Sequence, residues 1–311
     1  MAEQPDLSGL LSKPVVDSKI VNTPTPKPTI TKANVKELLG GLPVESVDKS
    51  IERVSMLIFG DSGIGKTFLA GSSAGVPEMS PVLFLDTAQG GVLSLRRKYP
   101  DVKGVYLDDV RNTAYKGDSK VQAIKSFGWD QMRRVVDDLS NNNPYKTVVM
   151  DTGGEIYNLG MSKLMAEVVD HNPKMEDPEV PSMREYGIML VRMRTVIKEL
   201  KRLGCNVIVT AHGDDIQNKR TGAFRTEPDF PGKVRKQVPS MFDFVFYYSM
   251  KETVTEKPGT GNKPATKVRT SNRVIRTKAT ATVMAKDRDG LLPETIMDPT
   301  MAELYTLITN T

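Results

Sequence analysis

Residues 56–67 read MLIFGDSGIGKT. The apolar run RVSMLIF, from Arg53 to Phe59, predicts a buried strand, and it stops at a glycine. The stretch fits G-x-x-x-x-G-K-[ST] with Gly60, Gly65, Lys66 and Thr67, and Gly63 adds a third glycine. Glycines let the backbone turn so tightly that successive N–H groups point inward at a phosphate chain. A helix is predicted from Lys66 to Gly71, and its N-terminal N–H groups and dipole would face the same anion. The expected ligand is therefore a nucleoside triphosphate, ATP, held by Gly60, Asp61, Ser62, Gly63, Ile64, Gly65, Lys66, Thr67 and Phe68. Lys66 is expected on the β- and γ-phosphates, and the Thr67 hydroxyl on Mg²⁺.

Working outward, apolar runs alternate with helical periodicity. SPVLFLDTA, VKGVYLDDV, YKTVVMDT and CNVIVTAHG read as strands. SFGWDQMRRVVDDLSNNN and EYGIMLVRMRTVIKELKRLG read as helices, the second stopping at Gly204. Val-, Ile- and Leu-rich strands separated by helices predict an α/β fold, a mainly parallel central sheet flanked by helices. After residue 240, MFDFVFYYSMKETV and RVIRTKATATVMAKD read as antiparallel strands, and DPTMAELYTLITN as a closing helix. Residues 1–43 carry recurrent prolines and no periodicity, so a flexible arm is expected, with a short helix at KANVKELLGGLP. Residues 44–311 are expected to form the ATPase domain.

A phosphate loop of this kind works with a carboxylate at the end of a second apolar strand, which holds the Mg²⁺ shell. KTVVMD supplies Asp151. Its distance from Lys66 fits one extra strand between the two motifs, the RecA-type arrangement. For orienting the attacking water two stretches compete: LFLDTAQGG offers Asp86 and Gln89, and DTGGE offers Glu155. His212 ends the strand NVIVTAH and is a candidate sensor of the γ-phosphate.

Composition sets bounds on the rest. The 311 residues are 39% hydrophobic and 26% charged, with net charge +5, which permits a nucleic-acid partner without requiring one. Between Lys251 and Gly290 ten basic residues face four acidic ones, an excess larger than that of the whole chain. No run reaches the roughly 18 apolar residues of a membrane helix, and the N-terminus lacks the pattern of a signal peptide. The lone Cys205 sits in an apolar run and suits packing, so a reducing cytoplasm is expected.

Taken in order, GDSGIGKT, LFLDTAQGG, VVMDT, VIVTAHG, FPGKVRKQVPSMFDFVFYY and AKDRDGLLP resemble the phage-encoded RecA-like P-loop ATPases, over about residues 50–308. The resemblance implies a RecA-like P-loop NTPase core, Mg²⁺ and ATP, assembly into a homo-oligomeric ring or filament, and single-stranded DNA as partner. It implies annealing or recombination as the process, in the cytoplasm of a bacterial host, with a single-strand-binding protein as a further partner. It also implies that Lys286 and Arg288, in AKDRDG, reach a γ-phosphate across a subunit interface, catalytic along with Lys66. One departure stands out: where such proteins carry a glutamate shortly after the strand-ending Asp, DTAQGG has Ala88 and Gln89.

The resemblance further implies DNA-holding loops after the Asp151 and His212 strands. The second, GDDIQNKRTGAFRTEPDFPGKVRKQ, carries Lys219, Arg220, Arg225, Lys233, Arg235 and Lys236, with Phe224 and Phe230 interleaved. Cations to follow phosphates and rings to stack bases are the parts of a single-strand binder. The first, SKLMAEVVDHNPKMEDPEVPSMRE, is mixed in charge and reads as a lid. Two other functions fit the phosphate loop: a small-molecule or nucleotide kinase, and an assembly protein that binds ATP with little turnover.

Overall fold

The computed structural model describes residues 53–87, 91–111, 124–171, 180–219, 221–257 and 266–309. The chain divides into two units, Met1–Lys49 and Ser50–Thr311. The expected N-terminal arm and its short helix lie outside the described residues, as do Gln89 and Arg220.

In chain order the strands are β1 (Ser55–Gly60), β2 (Val82–Asp86), β3 (Lys103–Tyr106), β4 (Val110–Arg111), β5 (Ile124–Ser126), β6 (Thr147–Asp151), β7 (Asn206–Gln217), β8 (Phe224–Pro228), β9 (Phe244–Lys257), β10 (Thr266–Arg276), β11 (Lys286–Asp287) and β12 (Thr295–Met297). The helices are α1 (Lys66–Gly71), α2 (Gly128–Asn141), α3 (Gly153–His171), α4 (Met183–Arg202), α5 (Val234–Ser240) and α6 (Met301–Thr309). A 3₁₀ turn, Ser72–Gly75, prolongs α1.

The main sheet runs β12-β10-β9-β1-β7-β6-β2-β3. From β9 to β3 every neighbour is parallel, whereas β10 and β12 are antiparallel additions. One strand, β7, lies in the sheet between β1 and the Asp151 strand β6 although it follows both in sequence; the stretch of chain between the two motifs itself supplies β2 and β3. This is a RecA-like P-loop NTPase core with C-terminal antiparallel strands.

Side-chain alternation explains why helices cover both faces. Leu57 and Phe59 of β1 join one buried cluster with Val207, Val209, Met189 and Met193. Met56 and Ile58 join the other, with Leu69, Ala70, Met301 and Leu304. A strand buried on both faces reads as a continuous apolar run, which is why RVSMLIF looks as it does. Helix α4 starts at a capping box: Ser182 Oγ accepts from Arg184 N at 3.2 Å, and Glu185 accepts from Ser182 N at 2.9 Å. Among the described residues no helix is long and apolar enough to cross a membrane.

The described parts of two expected loops are largely regular structure, while residues 172–179 of the expected lid lie outside the described residues. Residues 162–171 of the expected lid continue α3, and Ser182 already caps α4. The expected DNA loop is a hairpin: β7 runs on past His212 and pairs antiparallel with β8, from Gly213↔Pro228 to Gln217↔Phe224. It then leads into α5. Phe230 is not a stacking ring, because it is fully buried beneath α3, where Gly153 leaves room for it. Phe224, at 56% exposure, stands in solvent.

The two phenylalanines therefore separate in a denaturation experiment. Phe230→Ala is expected to cost about 3–5 kcal/mol, and Phe224→Ala to stay within about 0.5 kcal/mol. Urea unfolding of both variants measures this, and equal losses would contradict the placement of Phe230.

Candidate nucleotide site

The phosphate loop emerges where β1 ends between β7 and β9. Gly60 is squeezed there: a Cβ on it would lie 2.0 Å from the backbone oxygen of Tyr248 on β9, so only glycine fits. Gly65, the N-cap of α1, has φ +104°, a conformation that side-chain-bearing residues rarely adopt. Asp61, Ser62 and Gly63 form the exposed crown of the loop, and Ile64 is buried beneath it.

Lys66 is 6% exposed, and its Nζ donates to the carbonyl oxygens of Gly60 at 2.8 Å and Asp61 at 2.7 Å. Burial pushes its amine below the usual lysine value, and Asp151 and Asp61 pull it partly back. The loop thus holds a desolvated cation whose hydrogen-bond partners among the described residues are neutral carbonyls, a situation that favours an incoming anion.

Asp151 ends β6 and is 2% exposed. Its Oδ2 accepts from Thr67 Oγ1 at 2.7 Å, and its Oδ1 accepts a short hydrogen bond from Thr210 Oγ1 of β7. Its backbone oxygen accepts from Thr87 N at 2.8 Å and Thr87 Oγ1 at 3.0 Å. The register Asp86↔Asp151 sets a second buried carboxylate beside it. The Gly91 chain crosses close by, since a Cβ there would sit 3.3 Å from an oxygen of each. Thr67, Asp151 and Asp86 supply the hard oxygen donors that Mg²⁺ prefers, and Mg²⁺ keeps several waters, so a small protein donor set suffices. The residues present therefore fit the ion.

Other candidates lie around this centre. His212 pairs in register with Gly60, and its side chain is exposed beside the loop. Glu155 is exposed in the first turn of α3, four residues after Asp151, and accepts from Asn158 Nδ2 at 3.4 Å. Phe68 projects from α1 at 39% exposure, with Lys98 Nζ 5.3 Å from its ring centroid.

Lys286 and Arg288 lie elsewhere. They adjoin Ser55, at the start of β1, and the phosphate loop follows its end five residues on, about 17 Å away. Lys286 Nζ donates to Ser240 O at 3.1 Å and to Phe242 O. Arg288 forms a short ion pair with Asp243 rather than with Asp287 or Asp289. Burial pushes the Asp243 carboxyl up, but the Ser55 hydroxyl together with Lys201 and Arg288 outweighs it and holds the group below its usual value.

In the β7–β8 region several expected DNA contacts are already engaged. Arg235 pairs with Asp214 at 3.1 Å and Asp229 at 3.6 Å, and its Nε donates to Phe230 O at 3.0 Å. Arg225 lies 3.7 Å from Glu227. Lys219, Lys233 and Lys236 are exposed.

The sequence reading does not single out Thr210 or Arg273. Thr210 carried a signal, being the one hydroxyl in the otherwise apolar VIVTA run. Arg273, read only as part of the basic C-terminal segment, donates its Nε to Ile64 O at 2.9 Å inside the phosphate loop.

A family model described as an AAA domain matches residues 52–289. No curated protein matches the chain. Among solved structures, a KaiC-like protein from the hyperthermophilic archaeon Pyrococcus horikoshii OT3 is 15% identical over 72% of this chain and 78% of its own, with TM-score 0.33. A prototypical ATPase from the type III secretion system of pathogenic bacteria is 10% identical over 66% of this chain, with TM-score 0.35. This chain spans 58% of that protein's length.

The Asp151 network yields an expected outcome. Thr210→Val removes the donor to Oδ1 from a buried carboxylate and should destabilise the protein by about 1–3 kcal/mol, while Thr210→Ser retains the hydroxyl and most of the stability. Equal stability of the Val variant and the parent in denaturant titration would show that this hydrogen bond contributes nothing.

Proposed function

The chain belongs to the AAA domain family, and from that premise we propose that it is an Mg²⁺-dependent ATPase whose nucleotide state controls its hold on single-stranded DNA. The observation that carries the nucleotide half is the junction of Lys66, Thr67 and Asp151 where the phosphate loop meets two strand ends. In this reading Gly60–Phe68 cradles the triphosphate, and Lys66 neutralises its β- and γ-oxygens. Thr67 and Asp151 would hold Mg²⁺, which would screen the charge on the phosphates. Glu155 is the described candidate for orienting water, and His212 for sensing the γ-phosphate.

For DNA, the supporting observation is that β7–β8 projects beyond the strand end that carries His212. It exposes Phe224 and Lys219, and Lys233 follows at the N-cap of α5 with Lys236 in its first turn. Arg225 and Arg235 leave the proposed contact set because their charges are matched by Glu227, Asp214 and Asp229. Exposed cations beside an exposed ring suit a binder indifferent to base sequence. Lys286 and Arg288 lie far from their own phosphate loop, so any action on a phosphate requires a second copy of the chain. We accordingly read the working form as a homo-oligomer serving DNA annealing or recombination in the cytoplasm of a bacterial host.

Turnover measured with and without single-stranded DNA tests the whole reading. Stimulation is expected; ADP release that depends on an added acceptor would mark a kinase, and binding without turnover an assembly protein. Lys66→Ala should weaken ATP binding about 10- to 100-fold, the worth of a charge-assisted hydrogen bond, and Asp151→Ala should reduce affinity more with Mg²⁺ than without. Unchanged affinity in Lys66→Ala would sink the phosphate-loop assignment.

The DNA half is tested separately. Reversing Lys233 and Lys236 to Glu should weaken single-stranded DNA binding and flatten the plot of log affinity against log salt by about 0.7 for each phosphate no longer neutralised. ATP binding should survive. An unaltered salt slope would exclude this surface.

A further inference from the structure

A cleft of about 400 Å³ opens beside the phosphate loop. Its floor is one face of α1 and the turn that prolongs it, from Gly65 to Ser72. Seven residues of helix span about 10 Å, enough for a ribose and a bicyclic base. The volume lies within the range of small-molecule sites.

One wall is aromatic. The Phe68 and Tyr99 rings lie 5.9 Å apart, and Lys98 Nζ is 5.3 Å and 5.5 Å from their centroids. The opposite wall is the root of the β9–β10 hairpin: Tyr248 on β9, and Arg273 on β10. That root touches both ends of the phosphate loop. Tyr248 abuts Gly60, and Arg273 Nε donates to Ile64 O at 2.9 Å. Asp298 fixes the root from below, accepting from Arg273 N at 2.9 Å and Asn272 Nδ2 at 2.6 Å.

Beyond the root the hairpin leaves the sheet. Met250 to Val254 are all exposed, as are Arg269 to Ser271 opposite them. A two-stranded ribbon exposed on both faces is marginally stable by itself, so its order depends on how firmly its root is held. Arg273 is the described side chain that joins this root to the loop through a hydrogen bond and also lines the cleft.

We propose that the cleft receives the base and ribose of a purine nucleoside triphosphate, and that Arg273 relays its occupancy to the β9–β10 hairpin. This rests on the phosphate-loop reading above. A base stacked on the Phe68–Tyr99 wall places its ribose side toward Gly65 and Arg273. With the cleft filled, the guanidinium is confined between ligand and Ile64, and the root of the hairpin tightens. Phosphates alone fill the loop but not the cleft, so they leave the hairpin as it was.

Amide hydrogen exchange on the full chain, with ATP or inorganic tripolyphosphate at saturation, tests the relay. ATP is expected to slow exchange at Ser249–Val254 and Arg269–Ser271 several-fold, and tripolyphosphate to leave it unchanged. Arg273→Ala, compared with the parent at ATP concentrations that saturate each protein, should lose the hairpin protection. Tyr99→Ala should weaken ATP about tenfold or more, the usual cost of removing a base stack, and tripolyphosphate not at all. Equal protection by tripolyphosphate and ATP, full protection in Arg273→Ala, or undiminished ATP affinity in Tyr99→Ala would overturn the proposal. Lys66→Ala separates the two readings: it should weaken both ligands, and failure of the parent to bind either would overturn the phosphate-loop reading and this proposal together.

Discussion

Asp151 is a carboxylate taken almost wholly out of water, and such a group must be satisfied or it destabilises the fold that buries it. Its two oxygens find donors on two different elements, Thr67 from the helix after β1 and Thr210 from β7. Thr87 holds its backbone oxygen from the end of β2. One residue thereby locks together three adjacent strands, β7, β6 and β2, and the first turn of α1. The phosphate loop has its shape because β1 is threaded between β7 and β9 and Gly60 has no side chain to lift it off Tyr248. Geometry that serves a phosphate and a cation is in this sense a by-product of satisfying one buried charge.

The parts of this arrangement legible in the sequence are those with a local physical signature. Continuous apolar runs announced the doubly covered strands, and the glycine spacing announced the loop. The spacing between Lys66 and Asp151 announced that strands come between the two motifs in the chain, as β2 and β3 do, but not that β7 would enter the sheet between β1 and β6. Illegible parts depend on partners distant in the chain. That Arg235 meets Asp214, or that Arg288 meets Asp243 rather than its own neighbours, follows only once strands are paired. GDDIQ lacks apolar residues at alternate positions because neither face of the β7 extension packs on a core, so it reads as a loop. Phe224 and Phe230 look equivalent in a basic segment. Only the turn after β8, which places Phe230 under Gly153, separates them.

That the first ten residues of the expected lid are helical was hidden for the same reason. Residues 162–171 carry mixed charge, and α3 shows there only a thin apolar stripe, Leu164 and Met165 buried with Val168 half-buried against the core. A helix lying flat on other helices needs no wider stripe, and the rest of its surface is free to carry Lys163, which pairs with Asp130 of α2 at 3.1 Å, and Glu167, which pairs with Arg192 of α4 at 2.6 Å. The three helices are held by the apolar side chains they share beneath, and the mixed charge is what their solvent edges carry.

Topology divides the cations into two populations with different opportunities. At the foot of β1, Lys201, Lys286 and Arg288 neutralise Asp243 and cap the carbonyls that end α5, so they cannot serve the phosphate loop of their own chain. At its head, Lys66 and Arg273 contact the loop itself, one from within and one from the neighbouring antiparallel strands. Strand β10 is added to the edge of the parallel core, and with its parallel-core neighbour β9 it meets the loop at both of its ends. A parallel sheet alone leaves its phosphate loop tied to the rest of the protein through β1 and α1. Pairing β10 with β9 gives the loop a second mechanical connection, one that ends in an exposed ribbon. The loop therefore has a short, named path of contacts to the surface, from Gly60 and Ile64 through Tyr248 and Arg273.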